Sequence, residues 1–302
     1  MRALGKQLAE RAAVLAGVHR WGARGSSVVL AYHNIVPDGD RAMGDRSLHL
    51  PEREFVDQVD ALLESHEVVP IEQVFVLPTA SSSAKGRAAI TFDDAYYGAL
   101  VVGWPHLRRR GLPATMFVPP GCLGGQSFWW DELADPATGT LDRRIRNYGL
   151  DTLGGAGQRI RGWAAERGIA TQTLPAHARS GTDGDVREAA AGGLRVASHT
   201  WSHINLATSD EATGREELTR TSSWLADHYP SHPTWLAYPY GAASSRSADL
   251  ARAAGHQGAL LVSGGPFEPG APIDRYRIPR VNVPAGVSVD GFRLRVAGVV
   301  TR

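Results

Sequence analysis

Short apolar segments alternate along the chain with longer amphipathic ones. The apolar segments predict buried strands, and they lie at residues 28–33, 88–92, 114–118, 194–198, 234–237 and 259–262. Helical spacing of apolar positions predicts helices at residues 52–65, 96–110, 210–228 and 244–254. Strands that alternate with helices are typical of an α/β fold with a mostly parallel sheet, either open or closed into a barrel. The chemistry is then expected at the carboxyl ends of the strands.

Three stretches depart from this alternation. Residues 78–86 are rich in Ser and predict a flexible surface loop, and residues 121–193 form a long, weakly periodic insertion of the kind that often covers a site. At the amino end, Leu4, Leu8, Leu15 and Val18 recur at helical spacing. We therefore expect an N-terminal amphipathic helix within residues 1–24 that packs on a single domain of residues 25–302.

Composition narrows the class of protein. The 302 residues are 43% hydrophobic and 21% charged, as in ordinary globular proteins. Their 32 basic and 31 acidic side chains nearly cancel, which argues against nucleic acid or an anionic membrane as the main partner. No apolar run approaches the roughly 20 residues of a membrane span. The single cysteine, Cys122, excludes an intrachain disulfide, and together with the lack of a convincing signal peptide it predicts a cytoplasmic protein.

The first candidate for chemistry is a pair of adjacent carboxylates, Asp93 and Asp94, at the end of a predicted strand. Two carboxylates packed together repel each other unless a cation or a shared proton offsets the repulsion. An aspartate that caps the next helix is an equally good explanation of this pair taken alone. The pair therefore becomes informative only together with other residues.

Two histidines follow another predicted strand. His199 and His203 are four residues apart, so on a helical turn they face the same way and can bind one ion. A third strand ends in Tyr238-Pro239-Tyr240-Gly241, a shaped turn that can present a backbone N–H and an aromatic wall. One aspartate and two histidines form an open metal site, and the spare aspartate is placed to act as a general base.

These segments together resemble the polysaccharide deacetylase family, the NodB-homology or carbohydrate esterase 4 group. The matching motifs are TFDD (91–94), SHTWSH (198–203) and YPYG (238–241), in the order of the family. Their flanks, AYHN (31–34) and YRIPRVNV (276–283), are similar to those of the subgroup associated with exopolysaccharide gene clusters. The resemblance spans roughly residues 28–283.

The resemblance implies a distorted (β/α) barrel with fewer than eight strands and the hydrolysis of N-acetyl, or sometimes O-acetyl, groups on sugars. It implies that Asp93 is the general base and that Asp94, His199 and His203 bind a divalent metal. The backbone N–H of Tyr240 would help to stabilise the oxyanion. Mixed nitrogen and oxygen ligands favour zinc, with cobalt, nickel, manganese or iron as other suitable ions.

The sequence departs from the family pattern at three places. Ala95 replaces the glycine that usually follows the two aspartates, so either the turn differs or its φ is negative. Ala237 stands where many members have an arginine that orients the base, and Arg280 could supply that guanidinium from a later strand. The usual late histidine that acts as general acid is missing. His33, which follows the first strand, is a better substitute than His256.

Aromatic residues in the insertion could bind a sugar ring. Trp129 and Trp130 are candidates for stacking on the substrate, although adjacent aromatics commonly belong to a core, and Asp131 could also reach the site. The expected substrate is an acetylated carbohydrate. The open alternatives are a small amidated or acetylated metabolite, or a carbohydrate-binding homologue with impaired catalysis.

Overall fold

Seven parallel strands close into a barrel in the computed structural model, which describes residues 2–18, 25–76, 85–231 and 233–300. In chain order the strands are β1 (Ser27–Tyr32), β2 (Asn34–Val36), β3 (His49–Pro51), β4 (His66–Val68), β5 (Gly86–Phe92), β6 (Ala114–Val118), β7 (Arg195–Ser198), β8 (Trp235–Ala237), β9 (Gly258–Gly264) and β10 (Ile278–Asn282). The order around the barrel is β1-β10-β9-β8-β7-β6-β5, and β5 returns to β1. The predicted fold class is confirmed.

Helices cover the outside of the barrel. They are α1 (Arg2–Leu15), α2 (Glu52–Ser65), α3 (Trp104–Arg109), α4 (Trp129–Glu132), α5 (Arg143–Asn147), α6 (Gly157–Glu166), α7 (Asp183–Ala191), α8 (Glu211–His228), α9 (Ser245–Ala253) and α10 (Val289–Val296). Two π-helical segments, Ala99–Gly103 and Tyr148–Thr152, precede α3 and follow α5. The predicted helix at residues 52–65 coincides with α2, whereas that at 96–110 contains the first π-helical segment.

The core has an inner and an outer part because successive side chains of a strand face opposite ways. On β1, Val28, Leu30 and Tyr32 pack with Phe55 of α2 in the outer cluster. Val29 of the same strand belongs to the inner cluster. That cluster contains Ala89, Phe117, Ala197, Trp235, Leu260 and Ile278 from the surrounding strands. Side chains therefore fill the barrel, and functional groups are left to the strand ends.

The insertion at residues 121–193 is built of short helices, α4 to α7, and of the second π-helical segment. The predicted division into a helix and a domain with an insertion stays a prediction. Most of the predicted loop at 78–86 lies outside the described residues, and Gly86 begins β5. Strand β10 was not predicted because Pro279 and Arg280 interrupt its apolar run.

The N-terminal helix is present and packs on the domain, but Leu8 and Leu15 do not form the packing face. Helix α1 packs on α10, and the Ser288 hydroxyl donates a hydrogen bond of 2.6 Å to Glu10. The side chains of Leu8 and Leu15 remain 61% and 79% exposed, and Val18 is exposed as well. The side chain of Leu4 and residues 19–24 lie outside the described part of the chain. Among the described residues, no helix combines the length and apolar character needed to cross a membrane.

Candidate active site

The ends of several strands surround one cavity of about 310 Å³. Asp93 and Asp94 follow β5, His199 follows β7, and His33 follows β1. Carboxyl ends of parallel strands meet at one end of a barrel, so residues far apart in sequence come together there. The cavity is lined by His33, Asp45, Ser47, Leu48, Asp93, Asp94, Trp129, Trp130, Leu141, Arg146, Leu150, His199, His203, Tyr240, Gly241, Val262 and Asn282.

Three of these residues form a compact group of potential metal ligands. One ligand atom from each of Asp94, His199 and His203 lies within 4.8 Å of the others, and all three residues are buried. Asp94 Oδ1 is 2.9 Å from His203 Nε2 and 3.4 Å from His199 Nε2. Burial by itself would raise the pKa of Asp94, but the two histidines lower it well below its usual range. Asp94 is therefore ionised at neutral pH, as a carboxylate that binds a metal has to be.

The hydrogen-bond pattern of this group fits a bound cation. His199 Nδ1 lies 2.8 Å from the carbonyl oxygen of Ala237, to which it can only donate. In the neutral ring, Nε2 then carries a lone pair directed at Asp94 Oδ1, a buried oxygen without a hydrogen-bond partner. Burial lowers the pKa of His203, which favours a neutral ring there, whereas Asp94 and Asp93 outweigh burial and raise the pKa of His199. Two imidazole nitrogens and a carboxylate oxygen that converge in this way can hold a cation, and this donor set suits zinc.

Asp93 is held by a guanidinium group. Both amino groups of Arg280 donate to the carboxylate of Asp93, at 2.8 and 2.7 Å, and both side chains are buried. Arg280 also donates to Thr91 Oγ1 at 3.0 Å. Burial would raise the pKa of Asp93, but the charge of Arg280 and then of His199 lower it overall. Arg280 thus supplies the guanidinium group that many family members have at position 237, as the sequence suggested.

The loops that carry the motifs are strained. Among the described residues, the non-glycine residues with positive φ are Asp94, Ala95, Thr200, His203 and Tyr240, and all lie in the three motifs or, for Ala95, directly after the first. Such backbone costs on the order of 1–3 kcal/mol per residue and is concentrated at functional sites. Ala95 has a φ of 55°, so the suggestion that its φ is negative is wrong. The turn after the two aspartates therefore keeps the left-handed backbone conformation that glycine usually adopts in the family, here with alanine.

Aromatic side chains form one wall of the cavity. Trp129 Nε1 donates to the Tyr240 hydroxyl at 3.0 Å, and that hydroxyl donates to the Gly155 carbonyl at 3.1 Å. The Trp130 ring lies 4.7 Å from the ring of His203, and the Tyr240 ring lies 4.6 Å from it. Both tryptophans are largely buried, although they line the cavity. Trp130 therefore packs against His203, Trp129 binds the Tyr240 hydroxyl, and the two rings offer only a small apolar surface to a substrate.

Asp131 lies behind this wall and not in the cavity. Its buried carboxylate accepts hydrogen bonds from Asp45 N at 2.9 Å, His49 Nε2 at 2.9 Å and the Tyr96 hydroxyl at 2.6 Å. Tyr96 in turn accepts from Trp130 Nε1 at 2.8 Å. Asp131 therefore joins the wall to the loop that carries Asp45. No local pattern in the sequence indicates this role, because the partners of Asp131 are distant in the chain.

Among the candidates for a general acid, His33 lines the cavity, whereas His256 is not one of the lining residues. Four further polar lining residues, Asp45, Ser47, Arg146 and Asn282, escaped prediction. Asp45 and Arg146 lie in weakly periodic segments, while Asn282 ends β10 and could have been found from the rule of strand ends. Burial raises the pKa of Cys122 to about 12, so its thiol is protonated at neutral pH and is a poor nucleophile.

A carboxylate on α8 holds the loop of the two histidines. Ser202 donates to Glu217 twice, from its backbone N–H at 2.7 Å and from its hydroxyl at 2.6 Å. Glu217 is only 8% exposed. The adjacent Trp201 carbonyl accepts from Gly121 N at 2.7 Å. The loop is thus fixed from two sides, which supports the unfavourable φ of Thr200 and His203.

Glu217→Gln is expected to weaken metal binding by about tenfold, because an amide group would face a donor of Ser202 and loosen the loop. Titration of the metal-free protein with Zn²⁺ measures the dissociation constant. The matched control is Glu216→Gln, whose side chain is 69% exposed on the same helix. Equal metal affinities of the two variants would contradict the role of Glu217.

Comparisons with known proteins agree with this geometry. The model of the family described as polysaccharide deacetylase matches residues 80–259, more than half of the chain. That segment contains all three motifs. No curated protein matches the chain.

Several solved structures share the fold. The Streptococcus pyogenes deacetylase PplD, in complex with acetate, has a TM-score of 0.60 at 15% identity, over 90% of this chain and 99% of its own. IcaB from Ammonifex degensii has a TM-score of 0.61 at 20% identity, over 91% and 96%. The BpsB deacetylase domain from Bordetella bronchiseptica has a TM-score of 0.55 at 17% identity, over 86% and 97%.

Proposed function

The chain belongs to the polysaccharide deacetylase family and is a hydrolase of the deacetylase class, and from this premise we propose that it removes N-acetyl groups from an amino-sugar polysaccharide in a metal-dependent reaction. The observation that carries the proposal is the buried group of Asp94, His199 and His203 beside the Asp93–Arg280 pair. An open metal site next to an independent carboxylate is what hydrolysis by an activated water requires.

Asp94, His199 and His203 would hold the ion. When bound, a divalent ion of this kind lowers the pKa of water and polarises a carbonyl oxygen. The burial of the three ligands and the hydrogen bond from His199 to Ala237 keep the ring nitrogens oriented towards the cavity. The ion itself is best matched by zinc on the grounds of its nitrogen and oxygen donors.

Asp93 is the proposed general base. Arg280 keeps its carboxylate ionised and fixed in direction, and each oxygen retains a lone pair for the proton of the attacking water. His33 is the proposed acid, because it is the remaining imidazole among the described cavity-lining residues. It would protonate the nitrogen of the departing amine. The backbone N–H of Tyr240 is proposed to stabilise the oxyanion.

The position of Arg280 bears on the alternative of an impaired homologue. The loss of the motif arginine at position 237 suggested such a homologue, yet the carboxylate of Asp93 has a bidentate guanidinium partner. This pair supports a working enzyme. Resemblance to the exopolysaccharide-associated subgroup supports a polymeric amino sugar as the substrate.

The test is an assay of acetate and free amine released from an N-acetylated hexosamine oligosaccharide. We expect equimolar acetate and amine from the Zn²⁺-loaded protein, with loss of activity after chelation and recovery on adding metal. An O-acetylated sugar and the N-acetylated monosaccharide are the comparison substrates. Stoichiometric metal without release of acetate from the oligosaccharide would contradict the proposed substrate, and preference for the monosaccharide would favour the small-metabolite alternative.

A further inference from the structure

Leu8 and Leu15 of helix α1 point away from the domain. The residues on the side of the helix that faces the domain are partly buried and mostly small, namely Glu10, Ala13, Val14 and Gly17. Glu10 accepts the hydrogen bond of Ser288, and a Cβ added at Gly291 would come within 2.9 Å of its carboxylate. At 100° per residue, Leu8 and Leu15 project from the opposite side of the helix. They are 61% and 79% exposed.

The charge of the amino end differs from that of the rest of the chain. Of the 32 basic and 31 acidic residues, five basic and one acidic lie within residues 1–24, which leaves 27 basic and 30 acidic in the remainder. The basic residues are Arg2, Lys6, Arg11, Arg20 and Arg24. The one acidic residue, Glu10, is turned towards α10. The near-neutral total therefore conceals a basic segment on an otherwise slightly acidic protein.

We propose that α1 docks the protein on an anionic lipid surface. An exposed apolar face on a basic helix is the combination that binds at the headgroup boundary of a bilayer, where leucines insert and cations meet anionic lipids. Arg11 lies beside the leucines on the wheel and is exposed. Two copies that paired through this face would bring their basic segments together, so charge complementarity favours the lipid surface over a second copy.

The test is co-sedimentation of the full chain with vesicles. We expect binding to vesicles of phosphatidylglycerol and phosphatidylcholine at least about tenfold tighter than to phosphatidylcholine alone, and weaker in 1 M salt because charges are screened. The double variant L8Q/L15Q is expected to lose at least about tenfold in binding, since the inserted apolar area is removed. Its unfolding temperature and its activity on a soluble oligosaccharide should be unchanged, because both side chains are exposed.

The matched control is Val101→Gln, a 41% exposed apolar side chain on the π-helical segment Ala99–Gly103. It should bind vesicles as the parent does. Absence of binding to phosphatidylglycerol vesicles, or equal binding by L8Q/L15Q and the parent, would overturn the proposal. So would a dimer in sedimentation equilibrium that L8Q/L15Q converts to a monomer without any binding to lipid. These outcomes are independent of deacetylase activity, which is measured separately.

Discussion

Asp93→Asn is expected to lower kcat by about 10²- to 10⁴-fold, the range that a positioned general base contributes. The amide of asparagine cannot take a proton from water, whereas the potential metal ligands Asp94, His199 and His203 are unchanged. The bound metal per chain should therefore equal that of the parent. The measurement is single-turnover release of acetate together with elemental analysis of the metal.

The same substitution leaves the buried guanidinium of Arg280 with one acceptor oxygen in place of a carboxylate. Breaking a buried ion pair costs on the order of 3–5 kcal/mol, so we expect a lower unfolding temperature and assays should be run well below it. Asp45→Asn is the control, because Asp45 lines the same cavity without belonging to the proposed machinery. A folded, metal-loaded Asp93→Asn protein whose kcat is within about tenfold of the parent would exclude Asp93 as the base.

The sequence predicts that Asp94, His199 and His203 come together, because strand ends are a strong positional signal. Each of Asp94 and His199 follows an apolar run, and the carboxyl ends of parallel strands must meet. The partner of Asp93 was harder to predict. Arg280 is adjacent to a proline in a strand without a clean apolar pattern, and it reaches Asp93 only because β10 pairs with β1 and β1 with β5.

Other features depend on contacts that no local pattern encodes. Glu217 looks like one more charged residue of a surface helix, yet it is buried because the loop at Ser202 offers two donors at that point. Periodicity likewise shows that α1 is amphipathic but not which face meets the domain. The close approach of α10 to Glu10 decides this, and small side chains permit it where leucines would not.

Substitution of a proposed metal ligand is expected to reduce activity more than any other change in the cavity. His199→Ala is expected to weaken Zn²⁺ binding by more than about 100-fold, since loss of an outer-shell partner alone costs about 10- to 100-fold. Activity should fall to background at micromolar metal. Without the His199 ring, Asp94 and His203 are the two remaining ligands, and two ligands are too few to fix an open catalytic metal site.

Calorimetry and thermal unfolding measure this loss without an activity assay. A ligand that binds only the folded state at about 1,000 times its dissociation constant stabilises the protein by about 4 kcal/mol. Zn²⁺ should therefore raise the unfolding temperature of the parent and not that of His199→Ala. His256→Ala is the control, because His256 is a buried histidine outside the cavity lining, and it should keep the stabilisation by metal. If Zn²⁺ also stabilised His199→Ala, the ion would have to bind elsewhere. The proposed roles of Asp94 as ligand and Asp93 as base would then fail.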